Sequence, residues 1–242
     1  MIDDPIRPDP MLQRVGIAVL AKAPIAGLAK TRLIPALGAA GAARLQRCLT
    51  LAALQTAGAA ALGPITLWCT PDADHRFFRA LHRTAGVDCA IQPAGDLGER
   101  MHAAFSACGA EVPMLLIGTD CPVLTPDHLR RAAQALIDGH DAVFYPAEDG
   151  GYVLVGLRRP QRRLFADMTW STSAVMEDTR ARARLLNLRV RELEMLWDVD
   201  VPADLARLRA LRLFVPAIYP DIPAATAGSV KGDSTPLSRT SS

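Results

Sequence analysis

Short apolar runs alternate with longer helical patterns along most of this 242-residue chain, and that alternation constrains the fold more than any other feature. Val15–Ala21, Ile65–Cys69, Val87–Ile91, Met114–Ile117, Ala142–Tyr145, Gly151–Gly156 and Val190–Leu193 read as strands. Between and after them, Ala39–Ala61, Ala73–Arg83, Leu97–Cys108, Pro126–Gly139, Ser173–Leu186 and Pro202–Phe214 read as helices. Strands and helices alternating at this length make βαβ units and a largely parallel sheet covered on both faces. Thr125 is placed to cap a helix that has Pro126 at its first position. Asp200-Val201-Pro202 is expected to start the last helix in the same way, with Asp200 as the cap.

Half of the residues are hydrophobic, ample for one sizeable core, and no internal repeat is visible. The expected organisation is one α/β domain over residues 14–219, a loose arm with three prolines over 1–13, and a disordered tail over 220–242. The net charge of +2 gives no bulk electrostatic reason to bind nucleic acid or a membrane surface. No basic stripe with interleaved aromatics supports nucleic-acid binding either. The five cysteines are widely spaced without a C-x-x-C pair, against both a disulfide framework and a zinc knuckle. No apolar run approaches the roughly 18–20 residues of a membrane span, and the acidic, proline-bearing start does not read as a signal peptide. The chain is expected to be cytoplasmic. The apolar stretch from Leu211 to Tyr219 is open between covering a sheet edge and forming a homodimer contact.

Open sheets of this kind bind ligands beyond the carboxyl ends of their strands, and the polar constellations fall at such places. After the first strand, Lys22, Lys30 and Arg32 lie within eleven residues, with Gly27 and Thr31 among them. Glycine admits close backbone approach, lysine supplies point charge and arginine a planar fork of donors, a combination suited to phosphates. A solvated basic loop would read the same. The G-x-x-x-x-G-K-[ST] spacing of a Walker loop is absent. Leu115-Leu116-Ile117-Gly118-Thr119-Asp120 runs an apolar strand into a carboxylate, either a turn former or one of the one or two carboxylates magnesium needs beside phosphate.

Glu148-Asp149-Gly150-Gly151-Tyr152 reads as a tight turn, or as a place where a sugar or acceptor approaches the glycine backbone while Asp149 bonds its hydroxyls. In Trp197-Asp198-Val199-Asp200, Asp200 is a helix cap, or Asp198 or Asp200 supplies a second carboxylate to a metal held by Asp120. Gly95 to Met101 places Glu99 and Arg100 at a helix start, and Trp170-Ser171 precedes another helix. The histidines form no metal-spaced pair. Neither G-x-S-x-G nor G-x-G-x-x-G follows a strand in the required place.

K-A-P-x-x-G-x-x-K-T-R-L, G-T-D-C-P, E-D-G-G-Y, W-S-T and W-D-V-D-x-P-x-D-L occur here in this order, from about Val15 to Leu208. Together they resemble the bacterial DUF2064 group of glycosyltransferase-like proteins, some of which are named arsenosugar-biosynthesis glycosyltransferases. The outline is also similar to 2-phospholactate guanylyltransferases and molybdenum-cofactor nucleotidyltransferases. The resemblance implies a GT-A-like, nucleotide-diphospho-sugar transferase fold: a three-layer α/β/α sandwich with a mostly parallel sheet. It implies a nucleotide or nucleotide-sugar donor, a small-molecule acceptor and Mg2+ or Mn2+.

Carried over by position, Lys22, Gly27, Lys30 and Arg32 would hold the donor phosphates, and Asp120 and Asp200 the metal. Asp120 and Asp149 would be catalytic, and Glu99, Arg100, Gly150, Gly151, Tyr152, Trp170 and Ser171 would contact acceptor or sugar. The usual glycosyltransferase D-x-D stands here as Thr119-Asp120-Cys121, with one carboxylate. Glycosyl transfer, nucleotidyl transfer with release of pyrophosphate, and nucleotide binding without turnover all remain open at this point.

Overall fold

The computed structural model describes residues 10–109 and 111–211. Its strands are β1 (Gly16–Lys22), β2 (Ile65–Thr70), β3 (Asp88–Ile91), β4 (Met114–Ile117), β5 (Ala142–Pro146), β6 (Tyr152–Leu157) and β7 (Val190–Glu192). Its helices are α1 (Ile34–Ala59), α2 (Arg76–Ala85), α3 (Leu97–Ala107), α4 (Pro126–Ile137), α5 (Arg162–Phe165), α6 (Val175–Leu185) and α7 (Asp204–Ala210). Every expected strand is present. The four-residue α5 has no sequence counterpart, because one turn is too short to display a period.

The strands form one sheet in the order β3-β2-β1-β4-β6-β5-β7. All neighbours are parallel except at β6, which runs antiparallel to both β4 and β5. Alternation along each strand splits the core in two. Ile17, Val19 and Ala21 of β1 pack with α1, α2 and α4 on one face. Ala18 packs with Trp68, Met101, Phe105 and Met176 on the other, under α3, α5 and α6. The result is the expected three-layer α/β/α sandwich. A third cluster joins α1 to α7 through Leu45, Leu49, Leu205 and Leu208, and it buries Trp197 and Val199 of the segment before α7.

The helix starts follow local chemistry. Thr125 accepts a hydrogen bond from the His128 amide, and His128 Nδ1 accepts from the Thr125 amide, with Pro126 at the first position as expected. Asp96 and Glu99 make the same reciprocal pair at α3. The last helix departs from expectation. Asp204, not Asp200, is the ordering residue, and its Oδ2 accepts from the backbone N–H groups of Asp200 and Val201 at 2.9 and 2.8 Å. Residues 12–14 of the chain start form a 3₁₀ turn with Leu12 packed on the first core. The rest of the expected arm over 1–9, the tail, and the apolar stretch beyond Leu211 lie outside the described residues.

Because the chain leaves β1 towards β2 on one side while β4 joins β1 on the other, the switch point of the sheet lies between β1 and β4. The loops after these two strands therefore flank one crevice. Helix α4 reaches the sheet closely at Gly156 of β6. A Cβ there would stand 2.5 Å from Val143 Cγ1 and 2.7 Å from Leu115 Cδ2. The leucine tip can rotate, but a β-branched valine has little χ1 freedom. We expect Gly156→Ala to destabilise the fold by about 1–3 kcal/mol through overpacking, measurable as a lower urea midpoint at unchanged m.

Candidate active site

The loop leaving β1 turns back on itself, with the amides of Leu28 and Ala29 both donating to Ile25 O, and it buries Ala29. Gly27 holds φ at +85° with open space where a Cβ would point, so its requirement is conformational. Lys30 adopts φ 48° and ψ 47°, a left-handed conformation rare for a side-chain-bearing residue. That backbone turns the lysine inward. Its side chain is only 4% exposed, with Nζ 2.9 Å from Asp120 Oδ2, and Nζ also donates to Val199 O. Lys30, expected to grip phosphate, is instead a strut that joins the β1 loop, the end of β4 and the segment before α7. Lys22 is exposed and Arg32 stands at the rim. Arg32 is ion-paired with Asp200, which occupies the carboxylate expected to hold a metal.

The segment 196–200 is threaded between two strand ends. Leu196 bridges to Ala147 and accepts from the Glu148 amide, and the Val199 amide donates to Asp120 O at 2.8 Å. With Trp197 and Val199 buried in the α1–α7 cluster, the alternating residue Asp198 lines the crevice. Its carboxyl is pushed up to about 6, first by burial and then by the charges of Asp149 and Asp120, with Lys30 opposing. The sequence presented Asp198 and Asp200 as equivalent options. The structure separates them by pairing Asp200 with Arg32 and half-burying Asp198 among other carboxylates.

A buried relay supports Asp120. Gln46, 3% exposed on α1, donates to the Thr119 hydroxyl at 3.0 Å, and that hydroxyl is 3.1 Å from Asp120 Oδ1. Since the Thr119 oxygen accepts from Gln46, its single proton is directed to the carboxylate. Neither Gln46 nor Gln92, which donates to Ala21 O and Trp68 O at the other wall, carried any sequence signal.

Lys22, Lys30, Thr31, Arg32, Asp120 and Asp198 share one crevice of about 540 Å³, with Asp149, Ser171 and Asp200 at its side. A second hollow of about 360 Å³ adjoins it across Arg32, Asp149, Ser171, Asp198 and Asp200. Asp149 Oδ1 accepts from the Gly151 amide at 2.9 Å, so the carboxylate is oriented by its own turn.

Several of the expected ligand-contact residues make contacts within the chain. At Gly150, with φ +90°, a Cβ would lie 2.1 Å from Ser173 O, so the close approach there is between two loops. Gly151 is the backbone donor to Asp149. Tyr152 packs its ring on Phe144 and directs its hydroxyl towards Met101 Sδ, beneath α3 and away from the crevice. Glu99 closes the cap of α3, and Arg100 Nε donates to Gly95 O. Trp170 lies over Gly98, and its Nε1 is buried without a hydrogen-bond partner. Ser171, at φ 62°, does line both hollows.

The donor set is of the kind a hard divalent cation takes: Asp120, Asp149, Asp198 and Asp200 offer oxygen ligands only, and the Asp198 carboxyl is raised first by burial and then by its acidic neighbours. Among the described residues no three His, Cys, Asp or Glu side chains converge as a metal cage. The site therefore fits a cation that completes its shell with ligand phosphates and water.

Asp198 carries a measurable stability signature. Its folded pKa of about 6 exceeds the ordinary 3.8, so the penalty is absent below about pH 4, grows as pH rises and is complete above about pH 6. Allowing for partial exposure, we expect Asp198→Asn to be more stable than the parent by about 1–2 kcal/mol at pH 7.5 and equal to it at pH 4, read by urea unfolding at both pH values. Gly150→Ala, by contrast, should lower the melting temperature without any ligand present, by about 2 kcal/mol or more in stability, because its neighbour is backbone. An unchanged melting temperature would return Gly150 to the role of a ligand contact.

Residues 51–172 match the model of a family described as uncharacterized proteins conserved in bacteria, DUF2064. Among solved structures, a protein from Desulfovibrio desulfuricans G20 provisionally named a nucleotide-diphospho-sugar transferase is similar. It is 25% identical, with 85% of this chain and 98% of that chain covered and a TM-score of 0.71. The 4-diphosphocytidyl-2C-methyl-D-erythritol synthase of Anaerococcus prevotii DSM 20548 is 11% identical over 85% of this chain and 99% of that one, at a TM-score of 0.56. The inositol-1-phosphate CTP transferase of T. maritima is 11% identical over 83% and 95%, at 0.52. At that identity these two relatives show a shared fold alone. No curated protein matches the sequence. The chain belongs to the DUF2064 family and carries the fold of the nucleotide-diphospho-sugar transferases.

Proposed function

We propose that this protein is a glycosyltransferase that moves a sugar from a nucleotide-sugar donor to a hydroxyl of a small acceptor. The observation that carries the reading is the crevice at the β1/β4 switch point, lined by Lys22 and Arg32 together with the carboxylates of Asp120 and Asp198. Cationic side chains and hard oxygen donors in one crevice are what a nucleoside diphosphate with a divalent ion requires. The provisional name of the Desulfovibrio desulfuricans relative agrees with this reading.

In this scheme Lys22 binds the diphosphate directly. Arg32 reaches it by leaving Asp200, an exchange between two exposed partners that costs little. Lys30 keeps Asp120 in place from behind. Asp120 and Asp198 would hold Mg2+ or Mn2+, which when bound neutralises the charge that develops on the leaving diphosphate.

The acceptor oxygen bonds to the anomeric carbon as that carbon's bond to the phosphate oxygen breaks, and the electron pair leaves with the nucleoside diphosphate. The acceptor proton passes to Asp149, the carboxylate at the junction of the two hollows that is not assigned to the metal. Glu148 is unsuited, since the Arg207 guanidinium holds its carboxyl below the usual range.

Thermal shift with nucleoside diphosphates and nucleotide sugars, with and without Mg2+ or Mn2+, tests the proposal. A ligand specific to the folded state raises the melting temperature by mass action. We expect a metal-dependent shift, and Lys22→Ala should weaken the responsible ligand by about 10-fold or more while leaving the ligand-free melting temperature unchanged. No shift with any nucleotide would overturn the reading. Pyrophosphate release from an NTP would replace glycosyl by nucleotidyl transfer.

A further inference from the structure

The hollow beside the donor crevice has a charge pattern that restricts the acceptor. Its wall carries five carboxylates and two guanidiniums. Both guanidiniums are already engaged. Arg32 pairs with Asp200 and turns to the diphosphate in the donor complex proposed above, while Arg207 makes a two-pronged pair with Glu148 at 2.6 and 2.9 Å and lies 4.3 Å from the centre of the Trp197 ring. A cation held by two carboxylate oxygens and an aromatic face is not free to receive an anion.

Asp149 and Asp204 also line this hollow and form no salt bridge among the described residues. Asp204 Oδ2 is occupied by two backbone donors, and Asp149 Oδ1 by one. The charge of a divalent ion in the neighbouring crevice would be balanced by the diphosphate of the donor. Beside the acids stand Ser171, Thr172 and Ser173.

We infer that this hollow receives a hydroxyl-bearing acceptor that is neutral or cationic and carries no phosphate. The inference rests on the donor reading above and narrows it. A phosphorylated acceptor, which nucleotidyl transfer onto a phosphate requires, would meet uncompensated like charge, a repulsion of the kind that excludes wrong partners. Carboxylates and hydroxyls hydrogen-bond sugar hydroxyls and ammonium groups, and the cavity of about 360 Å³ accommodates a ligand of monosaccharide size.

The test uses the full chain with magnesium and inorganic pyrophosphate filling the donor crevice. The indole N–H resonance of Trp197, assigned with Trp197→Phe, reports on the second hollow. Glucose and glucosamine are expected to shift it, and glucose 1-phosphate to do so about tenfold more weakly or not at all. Glu148→Gln removes one negative charge and frees Arg207, so it should improve the response to glucose 1-phosphate by about fivefold or more over the parent. The inference is overturned if glucose 1-phosphate binds the parent as tightly as glucose, or if neither unphosphorylated sugar moves Trp197. If pyrophosphate fails to shift the resonances of residues 23–32, the donor reading itself falls, and this inference with it.

Discussion

The site depends on one buried ammonium. Lys30 Nζ meets the Asp120 carboxylate and Val199 O, and so ties three parts of the chain that no local rule brings together: the β1 loop, the end of β4 and the segment ahead of α7. The side chain is 4% exposed and the carboxylate 42%, so the pair lies at the floor of the crevice with its acidic end reaching solvent. A buried lysine without such partners would be costly. The left-handed backbone at Lys30, itself a conformation of order 1–3 kcal/mol above the ordinary, is held because this tie requires it. Asp120 is thus fixed on one oxygen by Lys30 and on the other by the Thr119–Gln46 relay.

Around that tie the sheet supplies the geometry. Parallel strands β1 and β4 end side by side, and helices on opposite faces leave their carboxyl ends open. The segment 196–200 closes the third side by pairing with Ala147 and with the backbone of Asp120, and its buried Trp197 and Val199 force Asp198 into the crevice. Cations and carboxylates then line one crevice together. The second hollow begins where Asp149 and Asp198 face both. In the function proposed above, a group carried on a diphosphate in the first would meet an acceptor in the second.

Much of this was legible because it is local. Strand positions followed from apolar runs, the Thr125-Pro126 start from capping chemistry, and the gathering of Lys22, Arg32, Asp120 and Asp149 in one crevice from their positions after strand ends. For glycines and aromatics the sequence left the partner open. The sequence shows that Gly150 must allow a close approach, but not whether a ligand or the Ser173 backbone approaches. It shows that Tyr152 follows a turn, but not that the first residue of β6 directs its ring beneath α3. Gln46 lies in the middle of an Ala-rich helix and carries no motif, and only its packing against the end of β4 gives it a role.

The sequence by itself determined the elements, the parallel sheet, the family outline and the set of polar residues gathered at strand ends, since these depend on period and on neighbours a few residues apart. Only the tertiary structure decided how those residues divide the work. Arg32 and Asp200 pair across 168 residues, Lys30 and Val199 across 169, and Arg207 and Glu148 across 59. Each pairing depends on which of two adjacent acids faces which loop, a choice made by the path of the chain over the sheet. Two aspartates separated by a single valine therefore end in different roles. Asp200 is neutralised by an arginine, and Asp198 is left half-buried with a proton affinity near neutrality.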